Sequence, residues 1–353
     1  MIRFLPFVFL LLVAGPAAAH EINASIFDCG CTAQCFTDEV TDVQCDREER
    51  QFSSLGLPDP THTMMVGITG TNQQLPVPHT YMFRLPLAPE FIGAETPTVP
   101  GAIGVAVNGI PLFDPSTQGP IQAATGRPVS AFEAGELDEC GGHAGRGDDY
   151  HYHMAPRCLI EEMGATAIEA ERRPIGFAAD GFPILALGWF EPGNDIEADL
   201  DTCRGIHDAD EQYFYNVSTA APYDILNCYN GSTERGFSRD TFQQRQNAAG
   251  QDIVGIPVGF TITAYERSDH AGGQCQHIEG VLGDEVVATS AGGDMRAEGI
   301  EGAIFYCDPG CYGQFLDRAN ARPRVIYFER QLASCPADYG PAMSNAFLEF
   351  GDR

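Results

Sequence analysis

The chain contains no lysine: all 20 of its Lys+Arg residues are arginine, set against 49 Asp+Glu, for a formal net charge of −29. A surface so short of cations has little with which to neutralise phosphates, which argues against nucleic acid and anionic membranes as partners. What remains is a solvated acidic surface suited to saline surroundings, where divalent cations can gather. Tryptophan occurs once. There is no phosphate-binding glycine loop, no Gly-x-Ser-x-Gly elbow and no His-Glu-x-x-His, which sets aside the P-loop, α/β-hydrolase and zincin chemistries. Past the N-terminus no run reaches the roughly 20 apolar residues that a membrane helix needs, so no membrane insertion is expected.

The chain begins with Met1-Ile2-Arg3, an apolar run over residues 4–15 broken only by Pro6, and Ala17-Ala18-Ala19. A charged start, an apolar stretch too short to span a bilayer and a small-residue site predict a bacterial signal peptide at 1–19, cut after Ala19, and a periplasmic or secreted protein. The 12 cysteines suit that oxidising setting. Cys29, Cys31, Cys35 and Cys45 crowd residues 20–60, predicting a disulfide-stapled segment, with four thiolates on zinc as the rival. Residues 61–231 form the expected central domain and 232–353 a C-terminal β subdomain with Cys275, Cys307, Cys311 and Cys335.

Strand-like runs dominate: residues 64–69, 80–85, 253–264, 303–307 and 324–328, each bounded by turn residues. Helix is expected only over 161–172 and near 240–247. Within the central domain one pattern occurs twice, over about 101–159 and 173–228. Ile103-Gly104-Val105-Ala106-Val107-Asn108-Gly109-Ile110-Pro111-Leu112 matches Ile175-Gly176-Phe177-Ala178-Ala179-Asp180-Gly181-Phe182-Pro183-Ile184. Leu137-Asp138-Glu139-Cys140 followed by Tyr150-His151-Tyr152-His153 matches Leu200-Asp201-Thr202-Cys203 followed by Tyr213-Phe214-Tyr215-Asn216. The fold class expected is mainly β, antiparallel sheets or a sandwich built on an internally duplicated unit and disulfide-bonded. Asn108-Gly109 and Asp180-Gly181 predict two-residue hairpins with positive φ. The simplest cysteine pairing is one disulfide inside each unit, Cys140 with Cys158 and Cys203 with Cys228; pairing across the units stays open.

The two units share their tyrosines, but only the first has the histidines. On a strand His151 and His153 point to one face and Tyr150 and Tyr152 to the other, which predicts core-facing tyrosines and a pair of imidazoles fit for copper, zinc or iron. His143, separated from His151 by residues 144–150, is the third candidate, across a loop holding Gly145, Gly147, Asp148 and Asp149. Three imidazoles would leave open positions for water or substrate. His207 lies one residue off the matching place in the second unit, which leaves a structural role open for His143. Asp148 and Asp149 are candidates for ligand or for acceptor of a ligand histidine's other N–H. His20 would become a copper-chelating N-terminus if cleavage follows Ala19. Asp138 and Asp180 are read as turn or capping groups, with calcium binding or general-base work as the lesser alternative. His62 with Met64 and Met65, and His270 and His277 around Cys275, are weaker candidates.

Leu137-Asp138-Glu139-Cys140, Gly142-His143, Tyr150-His151-Tyr152-His153, Pro156, Cys158-Leu159 and Asp180-Gly181-Phe182-Pro183-Ile184 together resemble the YHYH domain family of secreted proteins. The likeness covers about residues 101–230, and departs from the usual pattern where Leu185-Ala186-Leu187 stands in place of a Tyr-Gly pair. It implies an exported protein and brings no particular chemistry. The functional expectation is an exported metal-binding protein with one transition-metal ion on the Tyr-His-Tyr-His strand, a metal carrier or a metalloenzyme whose partner is a small molecule or an extracellular molecule. The alternative is a non-enzymatic extracellular interaction module in which the histidines are structural.

Overall fold

The computed structural model describes residues 22, 24–59, 62, 64–68, 76, 79, 81–117, 119–144 and 149–233, and beyond them only the backbone of short segments between 238 and 312. The expected signal peptide, His20, Asp148, Cys335, the helix near 240–247 and the strand at 324–328 lie outside the described residues, as do the side chains of His270, Cys275 and His277.

Alternation of burial explains the first strands. In β2 (Glu49–Ser54) Arg50, Phe52 and Ser54 are buried, and in β3 (Tyr81–Pro86) Tyr81, Phe83 and Leu85 are, each between more exposed neighbours. That period of two is what one face against a core imposes. With β1 (Val40–Cys45) and a short edge strand at Ser238–Arg239 they form a four-stranded antiparallel sheet. The cysteine-rich segment therefore hydrogen-bonds directly to β3, and its disulfides are Cys29–Cys35 and Cys31–Cys45. That pairing replaces the four-thiolate zinc alternative. β4 (Phe91–Pro97) pairs with Cys228–Gly231.

A second sheet carries the repeated pattern. It contains β5 (Ala102–Ala106), β6 (Pro111–Phe113), β7 (Gly142–Ala144), β8 (Tyr150–Tyr152), β9 (Gly176–Ala178), β10 (Pro183–Leu185), β11 (Gly205–His207) and β12 (Tyr213–Asn216), in the order β11-β12-β10-β9-β5-β6-β8-β7. Outward from the central β5–β9 pair, the succession β6-β8-β7 on one side corresponds to β10-β12-β11 on the other. Gly104 pairs with Ala178, Val105 with Phe177 and Ala106 with Gly176, a register that maps onto itself when the two strands are exchanged. Most neighbours are antiparallel, but β6–β8 and β10–β12 are parallel, so the sheet is mixed. Residue alternation encodes which face a side chain takes and not the direction of the next strand, which the long connections after β6 and β10 set. Phe52, Tyr81 and Phe83 of the first sheet share one buried cluster with Val105, Leu112, Tyr152, Phe177 and Tyr215 of the second. Each such aromatic contributes roughly 2 kcal/mol by leaving water.

Several local expectations are corrected. The hairpins after β5 and β9 are three-residue loops: the Gly109 amide donates to the Ala106 carbonyl and the Ala106 amide to the Ile110 carbonyl, with the same pattern at Gly181, Ala178 and Phe182. Positive φ falls on Gly109 (+74°) and Gly181 (+92°) and not on Asn108 or Asp180, the arrangement of a type I turn followed by a left-handed glycine. Residues 64–68 are turn rather than strand, because the Met65 amide is drawn to the Asp138 carboxylate and the Val66 carbonyl accepts from the Glu139 amide. Helix α1 (Arg157–Ala165) starts ahead of the expected 161, behind Pro156, and runs through a break at Gly164 (φ +76°) into a wider turn over Thr166–Ala170. Cys158 on that helix is bonded to Cys140, and Cys203 to Cys228, one disulfide inside each unit. Among the backbone segments beyond residue 233, Phe260–His270, Gly273–Leu282, Ile300–Cys307 and Cys311–Tyr312 form a four-stranded antiparallel sheet in that order.

Candidate metal centre

β7 and β8 form the hairpin that carries the site. Gly142 pairs with Tyr152, His143 with His151 and Ala144 with Tyr150, so His143 and His151 stand directly opposite each other, and His153 follows just beyond the end of β8. Their Nε2 atoms converge: His143 Nε2 lies 3.1 Å from His151 Nε2, which lies 3.1 Å from His153 Nε2. All three rings are buried, at 5–8% exposure, and Phe113 of β6 stacks on His151 with 3.9 Å between ring centroids. On the opposite face the Tyr150 hydroxyl donates to Asp138 at 2.6 Å, and the Tyr152 hydroxyl accepts from the Asn108 amide at 3.1 Å. The division into imidazole and phenol faces is the one that strand alternation predicts.

Backbone carbonyls fix the ring tautomers. His151 Nδ1 is 2.8 Å from the Asp149 carbonyl oxygen, and His153 Nδ1 contacts the Asp114 carbonyl oxygen. A carbonyl can only accept, so each Nδ1 carries the hydrogen and each neutral ring is left with a bare lone pair at Nε2. Two lone pairs thus face each other across 3.1 Å with no proton between them. Burial, and then the neighbouring rings, push His143 well below the usual imidazole range, and burial followed by His151 takes His153 down to about 3 against the opposing pull of the Asp114 carbonyl. Three nitrogens held about 2.05 Å from one ion with about 100° between them would be about 3.1 Å apart. The donor set fits a metal ion: the three side chains offer ligand atoms that all lie within 4.8 Å of one another.

The other candidates fall elsewhere. The Asp149 carboxylate has an oxygen 3.5 Å from His151 Nδ1, on the side away from the converging Nε2 atoms, and the other 3.4 Å from the Tyr81 hydroxyl. It supports a ring rather than joining the donor set. Asp138 is a turn group: Oδ1 accepts from the Cys140 and Gly142 amides, and Oδ2 from the Met65 amide and Tyr150. Asp180 likewise accepts from Phe182, Tyr215 and Gly231. Among the described residues the three histidines are the group that converges on one point, and no oxygen set suited to calcium does so. Met64 and Met65 are core, and His62 pairs with Glu162 at 2.8 Å.

The second unit shows what this architecture does without histidine. Asp201 repeats three of the four bonds of the Asp138 turn, accepting from Cys203, Gly205 and Tyr213, and takes its fourth from the Asn230 side-chain amide where Asp138 has the Met65 amide. Ile206 pairs with Phe214 as His143 does with His151, so the match to His143 is Ile206, and His207 instead packs its ring against Phe91 and Tyr213. Leu185, at the place of Phe113, clusters with Phe214 and Ile206. Asn216, at the place of His153, bonds to Leu187 and Val217. The equivalent volume is a small apolar core closed by an amide. The acceptor carbonyls of Asp114 and Asp149 carry no signal in side-chain pattern, and sequence reasoning missed them together with the Phe113 stack.

Fold and site together define a disulfide-bonded β domain with a buried three-histidine cluster. Residues 82–198 match the model of the family described as YHYH protein, so the chain carries a YHYH domain. Nothing matches it among curated proteins or among solved structures.

Proposed function

We propose that the protein is an exported metal-binding protein whose YHYH domain holds one transition-metal ion, copper, zinc or iron, through Nε2 of His143, His151 and His153. The observation that carries this is the 3.1 Å approach of His151 Nε2 to His153 Nε2 while both Nδ1 atoms donate to carbonyls. A cation between the lone pairs turns a repulsion into two bonds, and neutral imidazoles suit these three metals. Three protein nitrogens leave at least one position for water or a substrate atom, the common need of a metal carrier and a metalloenzyme. Export is part of the proposal: four disulfides among the described residues call for an oxidising compartment. No helix among the described residues is long and apolar enough to cross a membrane.

Elemental analysis of the full chain, produced without a histidine tag, tests the proposal. The comparison variant is His151→Phe with His153→Asn, which installs the residues found at the matching places of the second unit. Wild type should carry near one equivalent of metal and the variant almost none, with its disulfides and circular dichroism unchanged. Equal metal content in the two folded proteins would refute the proposal. Metal-free wild type beside a variant that melts far lower would mark the histidines as fold-locking groups.

A further inference from the structure

A second cleft, none of whose lining residues belongs to the histidine cluster, lies against β2 and the hairpin between β9 and β10. Its volume is about 380 Å³, at the lower end of the range for small-molecule sites. Phe27, Phe91, Phe177, Phe182 and Tyr213 line it, and so does Arg50. Phe91 belongs to β4, Phe177 and Tyr213 to the second sheet and Phe182 to the hairpin between β9 and β10, whereas the Phe27 amide donates a hydrogen bond to the Arg172 carbonyl. Phe91 is 44% exposed and stands 4.8 Å, centroid to centroid, from Tyr213.

Arg50 is the unusual member. It occupies an inward position of β2, alternating with Phe52 on the core side, and is only 7% exposed. Its guanidinium lies over the Phe177 ring at 4.7 Å from the centroid, which holds the plane of the group in place. Nη2 donates to the Gly30 carbonyl, and Nε is buried with no hydrogen-bond partner. A buried cation with an unused donor is costly unless something that the fold itself does not supply completes it. Asp28 also lines the cleft, and its charge partly offsets the burial of the guanidinium, but its Oδ1 accepts from the Gly30 amide and it makes no close ion pair with Arg50 among the described residues. The planar fork of a guanidinium matches a carboxylate, and the ring-lined walls match an aromatic body. Asp28 and Glu211 at the walls would repel a second negative charge.

We propose that this cleft is a binding site for a small aromatic monocarboxylate, with its carboxylate on Arg50 and its ring among Phe91, Phe182 and Tyr213. The site is independent of the metal centre and survives if that centre is disproved.

The test is calorimetric titration of the full chain with phenylacetate, compared with phenylacetamide, which keeps the ring and removes the charge. Saturable binding of the acid is expected, about tenfold weaker or worse for the amide and for Arg50→Gln, since hydrogen bonds to a charged partner are among the stronger ones. Phe91→Ala, at a partly exposed ring, should keep the fold and weaken binding about fivefold through lost apolar contact. If Arg50→Gln does not fold, the amide comparison and Phe91→Ala decide. No saturable binding of phenylacetate, equal affinity for acid and amide, or unchanged affinity in a folded Arg50→Gln or in Phe91→Ala would each overturn the proposal.

Discussion

Asp138 has no spare capacity: its two oxygens accept from three backbone amides and one phenol, all within 2.9 Å. An asparagine offers one acceptor oxygen and turns an NH2 group toward donors, so Asp138→Asn should cost about 3 kcal/mol or more, read as a fall in the denaturant midpoint. Asp201→Asn, in the matching turn, should cost a similar amount while leaving metal content unchanged, which separates loss of fold stability from loss of the site. Tyr152→Phe is milder, about 1 kcal/mol, because it removes the acceptor for one Asn108 amide. At this scale the sequence was informative. His151 and His153 share a face because alternation requires it, and the tyrosines face the core for the same reason. What it could not show is that Asp149 and Asp114 act through backbone oxygens, since any residue type carries a carbonyl.

Each histidine is placed by an element with its own fastening. The turn that opens β7 is tied to α1 by Cys140–Cys158, which closes a separation of 18 residues, so its removal as a double alanine variant should cost about 3 kcal/mol. Because His143 follows Cys140 closely, the same variant should also release metal at a lower chelator concentration. Cys203–Cys228 should cost about as much without affecting metal retention. The hairpin glycines are equally specific: a Cβ on Gly109 would lie 2.4 Å from Ser54 Cβ and one on Gly181 2.9 Å from the Pro86 carbonyl oxygen, both at positive φ. Alanine at either should therefore destabilise by more than about 1 kcal/mol, measurable as a shift in thermal midpoint. Asn-Gly and Asp-Gly marked the turns correctly in sequence, but the loop length was not legible there. It depends on which carbonyl closes the ring, and the same residues serve two- and three-residue hairpins. The equivalence of His143 to Ile206 rather than His207 was hidden for a related reason, because only strand register fixes it.

Across the whole molecule the histidines couple folding to pH. His143 and His153 titrate below the ordinary imidazole value when folded, so below about pH 6.5 the unfolded chain binds protons that the folded one refuses, and stability falls with pH from there toward about 3. Asp138 acts in the opposite sense: burial raises it to about 6, and its contribution is lost as pH rises from about 4 through 6. Two histidines outweigh one carboxylate, so metal-free protein should lose stability on acidification from pH 6.5 to 4.5. In a His143→Ile, His153→Asn variant that slope should vanish or reverse, as denaturant titrations at each pH would show. The sheet order was the least legible feature at this scale. The repeated pattern located the cysteine pairs, but strand alternation is silent on the parallel neighbours β6–β8 and β10–β12 and on the central β5–β9 pairing. Arg50 carried no signal in sequence, standing between Glu49 and Gln51; only the pairing of β2 turns it to the core side.

X-ray absorption at the edge of the metal found in the purified full chain tests the central claim most directly. Three imidazole nitrogens at about 2.0–2.1 Å, lost together in the His151→Phe, His153→Asn variant, are the predicted result. A metal shell of oxygen or sulfur alone, or one that survives in that variant, would contradict it.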